Sequence, residues 1–175
     1  FFDIVCPSAH LKPSVAVLVA SVRALKYQGG VERKLLGEPN HAALQKGFAN
    51  LEKHMANLLG FGLPVVVAIN RFPDDRPEEL QAIRDFCAGK GVRSAVSEVV
   101  ARGGAGGVDL AREVLAACEG ENGFRPLFAG TETVEERLDI LTRRIYGGDG
   151  VEYAPDAERQ LKRIHDMGYG RLPVC

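Results

Sequence analysis

The sequence predicts an α/β fold, a mostly parallel sheet with flanking helices. Two runs, Val15-Ala16-Val17-Leu18-Val19-Ala20 and Val65-Val66-Val67-Ala68-Ile69, are continuously apolar and rich in β-branched residues. Strands covered on both faces are written this way. Stretches with apolar residues at steps of three and four fall between and after these runs. Strand and helix patterns alternate, as in a sheet built with right-handed crossovers.

In chain order, Phe1-Phe2-Asp3-Ile4-Val5-Cys6 reads as strand-like, and the runs at 15–20 and 65–69 read as central strands. Between these two, Leu44, Phe48, Leu51, Met55 and Leu58 share one helical stripe, with Asn40 as N-cap. Pro77 suits the first turn of the next helix; Leu80, Ile83 and Phe86 or Cys87 form its inner face, and Gly89 or Gly91 stops it. A strand is expected over 92–99. The glycine-rich 102–107 stretch then precedes an amphipathic helix reaching about Cys118, with Leu110, Val114 and Leu115 turned inward.

The last third changes character. Thr133 and Glu136 have capping-box spacing ahead of Leu138, Leu141 and Ile145, and Gly147-Gly148 ends that helix. Pro155 opens another, with Leu161 and Ile164 inward, ended by Gly168. The expected organisation is an α/β region over 1–125 and a helical appendage over 126–175 that leads back toward a strand at 172–175. The chain lacks an initial methionine, and both ends are apolar where chain ends are ordinarily polar. A piece of a longer protein is expected.

Composition narrows the function classes. A net charge of −1, with both signs scattered, gives no basic footprint for nucleic acid or an anionic membrane. No apolar run approaches a membrane span and no secretion signal is present, so a cytoplasmic protein is expected. Cys6, Cys87, Cys118 and Cys175 are far apart, without a CxxC pair, and read as buried thiols. His10, His41, His54 and His165 have no metal-ligand spacing, so no metal site is expected.

Motifs are sparse. No GxxxxGK[ST] loop occurs, and Ala88-Gly89-Lys90-Gly91 reads as a helix C-cap. No GxSxG elbow surrounds Ser21, Ser94 or Ser97. Gly103-Gly104-Ala105-Gly106-Gly107 after Arg102 is either a connection or an anion-contacting loop.

The strongest position is VVVAINRFPDD at 65–75, because ligands in α/β sheets gather at the carboxyl ends of strands. Asn70-Arg71 resembles the start of a guanine-binding Asn-Lys-x-Asp motif, but Pro73 stands where its Asp belongs. Phe72, made rigid by Pro73, offers a flat face to a planar ligand or else tucks into the core. Arg23 and Lys26, which follow the first long strand, could approach anions from the same rim.

Several collinear stretches carry a family resemblance: VAVLVASVRALKYQGG (15–30), KGFANLEKHMANLLGFGLPVVVAINRFPDD (46–75), VSEVVARGGAGG (96–107), IYGGDGVEYAP (145–155) and GYGRLPVC (168–175). The chain resembles formate–tetrahydrofolate ligase, also called formyltetrahydrofolate synthetase, as an internal or C-terminal-half fragment. The resemblance implies a P-loop NTPase-like fold whose P-loop lies outside these residues. It also implies an ATP-dependent enzyme using Mg2+, formate and tetrahydrofolate, which makes 10-formyltetrahydrofolate through formyl phosphate, and a parent that is a homo-oligomer.

The resemblance places Phe72, Pro73, Val96 and Val100 at the folate site, with Asn70, Arg102, Gly103 and Gly104 as loop contacts. Val100 stands where the family has a tryptophan. Phosphoryl-transfer residues are implied elsewhere, so these residues alone would be inactive. Two alternatives stay open: a GTPase-like nucleotide module, and a noncatalytic relative whose sheet is an assembly surface.

Overall fold

A computed structural model describes residues 1–175. They form two compact units, Pro13–Phe124 and a second made of Phe1–Lys12 with Arg125–Cys175.

The larger unit holds a three-stranded parallel sheet in the order β1 (Ala16–Ala20), β2 (Val65–Asn70), β3 (Arg93–Ser97). Ala16 sits opposite Val65, and Val66 opposite Arg93. Helices α2 (Val22–Gln28) and α3 (His41–Leu59) link β1 to β2, and α4 (Pro77–Gly89) links β2 to β3. After β3 come a short α5 (Val99–Arg102), a 3-10 turn over Gly103–Gly107, and α6 (Val108–Cys118).

β2 is central, and Val65 to Ile69 are all buried. Burial of alternate residues alike means both faces are covered. Ser94 hydrogen-bonds Cys87 of α4, whereas Arg93 pairs with Glu113 of α6 at 3.0 Å, so the two helices lie on opposite faces. Leu44, Leu51 and Met55 of α3, and Leu80, Ile83 and Cys87 of α4, complete the core.

The helix starts follow their caps. Asn40 accepts the Ala43 N–H at 3.0 Å, Ser21 accepts that of Ala24 at 3.2 Å, and Pro77 begins α4. α2 and α3 touch backbone to backbone, because a Cβ at Gly47 would collide with the Leu25 carbonyl and one at Gly29 with that of Ala43.

The second unit contains α1 (Val5–Ser8), α7 (Val134–Leu141) and α8 (Pro155–Asp166). The capping box of Thr133 and Glu136 is formed. A π-helical turn, Thr142–Tyr146, prolongs α7 until Gly147 takes a left-handed φ of 78°. Arg137 is buried, its Nε donating to the Glu132 carbonyl at 3.2 Å and its guanidinium lying 5.3 Å from the Phe128 ring centroid.

Several expectations are corrected. β1 is an edge strand, not a central one, and Val17 and Val19 are exposed on the face where α6 covers β2 and β3. Phe1–Cys6 is not a strand: the chain turns there, Cys6 N–H donating to Phe1 O at 3.0 Å, and runs into α1. Leu172–Cys175 joins none of the three strands of the sheet. The strand expected over 92–99 closes at Ser97, where Val99 begins α5. Leu115 points outward, and Cys118 and Cys175 are exposed while Cys6 and Cys87 are buried. No helix is long and apolar enough to cross a membrane.

Candidate functional site at the carboxyl ends of the strands

Asn70 pairs in register with Ser97, and the Arg71 N–H donates to Ser97 O at 3.0 Å. The ends of β2 and β3 therefore stop side by side. The chain leaving β2 turns at once: Asp75 N–H donates to Phe72 O at 3.1 Å, with Pro73 and Asp74 as the two central residues. Proline suits the second position of such a turn because its ring presets φ.

The turn is closed a second time by a side chain. One Asp75 carboxylate oxygen, Oδ2, accepts the Phe72 N–H at 2.8 Å, and Asp75 is buried. Burial pushes its carboxyl above the ordinary value of 3.8, against the lowering effects of the Phe72 N–H, Arg23 and Lys26. Glu79 adds to the upward push.

Phe72 is half-buried, and its ring has company. The Arg23 guanidinium carbon lies 4.8 Å from the ring centroid, a cation–π contact, while Arg23 Nη2 donates to Asp74 Oδ2 at 2.7 Å. Arg23 Nε is shielded from solvent without a hydrogen-bond partner. Behind this layer, Lys26 and Glu79 form a buried ion pair at 3.2 Å. Lys26 also donates to the Glu38 carbonyl at 2.9 Å, and Glu79 accepts the Asn40 N–H at 3.3 Å. The pair ties α2, the start of α3 and α4 together beneath the Phe-Pro turn. Of the two cations considered for the rim, Arg23 reaches it and Lys26 does not.

Beyond β3, Glu98 receives Arg71 at 2.8 Å and Arg102 at 3.0 Å. Its N–H donates to Gly106 O at 3.0 Å. A Cβ at Gly106 would approach Glu98 O to 2.5 Å, so the glycine permits the 103–107 turn to fold back. Gly103, at φ 58°, and Gly104 are exposed. Arg102 is exposed too, with its guanidinium engaged by Glu98.

The folate-site residues inferred from the sequence are thus distributed over one rim. Val96, half-buried, and Arg102 line a cleft of about 340 Å³ with Arg84, Glu98, Gly106 and Arg112. Pro73 lines another of about 480 Å³ with Glu38, Asp74, Asp75 and Arg76. Phe72 and Val100 line neither; Val100, in the first turn of α5, is 90% exposed.

Sequence reasoning passed over Asp75, Glu79 and Glu98. Asp75 had a local signal, since an acid three residues after a turn's first residue can bond back to it. Glu98 had only its i,i+4 spacing to Arg102, and Glu79 had none, because its partners Lys26 and Asn40 are far away in sequence.

The family model for formate–tetrahydrofolate ligase matches residues 1–175. The chain belongs to this family. Membership sides with the ligase reading over a GTP-binding module. It also makes formate and tetrahydrofolate the substrates against which the rim of β2 and β3 is to be read.

Proposed function

We propose that this chain carries the folate-binding side of an ATP-dependent formate–tetrahydrofolate ligase. In that reaction formate is phosphorylated by ATP. N10 of tetrahydrofolate then attacks the carbonyl carbon of formyl phosphate, phosphate leaves, and N10 gives up its proton. The observation that carries the proposal is the half-buried Phe72 ring on a Pro73-fixed turn at the carboxyl end of the central strand.

In this reading the pterin lies flat on Phe72, with Val100 as the opposing wall, Val96 nearby, and Asn70, Arg102, Gly103 and Gly104 at the edge. Two features of the site support it. The exposed valine at position 100 is free of a packing duty in the core, and a half-buried aromatic ring beside a strand end suits a planar heterocycle.

No Walker-type loop is present, and no group of three or more His, Cys, Asp or Glu side chains is gathered to hold a metal. Phosphoryl transfer is assigned to other residues of the ligase, and these 175 residues alone are proposed to be inactive.

Calorimetric titration of tetrahydrofolate into the ligase carrying this chain tests the site. Phe72→Ala should weaken binding ~10-fold and Val100→Trp should tighten it a few-fold, since an aromatic pair adds ~0.5–1.5 kcal/mol beyond its buried area. Unchanged affinity in both variants would refute the stacking site.

A further inference from the structure

The Phe72 turn is held from inside by a charged group that no step of ligase chemistry calls for. Asp75 is 6% exposed, and an acid so deeply placed ordinarily pairs with a cation or accepts several hydrogen bonds. Its direct hydrogen bond is to the Phe72 N–H, at 2.8 Å. The cations that favour its charge, Arg23 and Lys26, have closer engagements, Arg23 with Asp74 and Lys26 with Glu79. Glu79 opposes the charge. Asp75 is thus a buried carboxylate aimed at the backbone of one residue, and that residue carries the ring on the rim.

We propose that Asp75 is a positioning residue for tetrahydrofolate binding, its carboxylate fixing the turn that presents the Phe72 ring to the pterin. This rests on the reading of Phe72 as the stacking residue. The backbone bond from Asp75 N–H to Phe72 O closes the turn but leaves the Phe72 N–H without an acceptor, and the carboxylate supplies one. A charge-assisted bond of this kind is roughly twice as strong as a neutral one. With both bonds made, the plane of the peptide preceding Phe72 is fixed, and so is the direction in which its side chain departs. Arg23, over the ring and bonded to Asp74 on the same turn, stays in register with it.

The test is a set of equilibrium titrations with tetrahydrofolate, using the ligase that carries this chain and its Asp75→Ala, Asp75→Asn, Phe72→Ala and two double variants. Asp75→Ala should weaken binding about 10-fold, the scale of losing an oriented stacking partner. Asp75→Asn keeps an acceptor oxygen without the charge and should cost about 2–4-fold. In the Phe72→Ala background neither change should cost anything more, and ATP affinity should stay at the wild-type value throughout.

The proposal is overturned if Asp75→Asn and Asp75→Ala bind like wild type while Phe72→Ala binds weakly. It is equally overturned if the Asp75 and Phe72 losses multiply, which would mark Asp75 as a general structural residue. Wild-type affinity in Phe72→Ala would instead bring down the stacking site itself, and the proposal with it. Should Asp75→Ala fail to fold, the Asn variant alone decides, in both backgrounds.

Discussion

Phe72 and Asp75 show how far a single residue can be read. An aromatic ring next to proline at a strand end announces itself, because strand, turn and ring are all local in sequence. The acid that holds the turn shows only its spacing, three residues after Phe72, and its importance depends on being buried. Burial makes its charge a cost in the folded state. With the folded carboxyl raised above its ordinary value of 3.8, the native state binds the proton more readily than the unfolded chain, so this group's contribution to stability falls as pH rises from the unfolded value through the folded one. Asp75→Asn should therefore raise the melting temperature at neutral pH, and the gain should shrink as pH falls through the raised folded value and be gone below about 4. Thermal unfolding at several pH values checks this; a variant that melts lower at neutral pH would show the charge to be stabilising. A second outcome concerns the thiols. Burial raises the Cys87 thiol to about 11, and Cys6 is as deeply buried, whereas Cys118 and Cys175 are exposed. An aromatic disulfide reagent at neutral pH should label Cys118 and Cys175 quickly and the other two only on unfolding, as mass spectrometry of the labelled peptides would show.

At the scale of elements, the contact between α2 and α3 depends on an absent side chain. Gly47→Ala should destabilise the larger unit by ~1–3 kcal/mol, because the added methyl meets the backbone carbonyl of Leu25 and not a side chain that can move. Lys26→Met leaves Glu79 buried without its cation, for ~3–5 kcal/mol. Denaturant titration measures both, and a loss below 1 kcal/mol for Lys26→Met would show that Glu79 finds another partner. The helices were legible because their signals are local: Asn40, Pro77, the Thr133 and Glu136 box and Pro155 all sit where they cap or begin a helix. The strands were legible as strands but not as neighbours. Val15 to Ala20 reads as central because it is uniformly apolar, yet only the pairing of β1 with β2 on one side decides its place, and pairing is not written within five residues. The same limit misread Phe1–Cys6. Apolar residues permit a strand there, but a strand also needs a facing edge.

The whole molecule unites a family assignment over residues 1–175 with a sheet whose strand ends carry an aromatic turn, a glycine-rich turn and three arginines tied to acids. The family could be read from the sequence because long collinear stretches carry it. Arg23's approach to the rim could be read too, but its seat over the Phe72 ring could not, since the two lie some fifty residues apart. The 175-residue chain by itself should form no 10-formyltetrahydrofolate from formate, ATP and tetrahydrofolate; turnover above background would refute the assignment of phosphoryl transfer to other residues. The central claim is the pterin's place. A crystal structure of the ligase with tetrahydrofolate should show the pterin in van der Waals contact with the Phe72 ring, at ~3.5–4.0 Å, beneath the residue at position 100. A pterin bound elsewhere, with Arg23 still over an uncovered Phe72 ring, would contradict it.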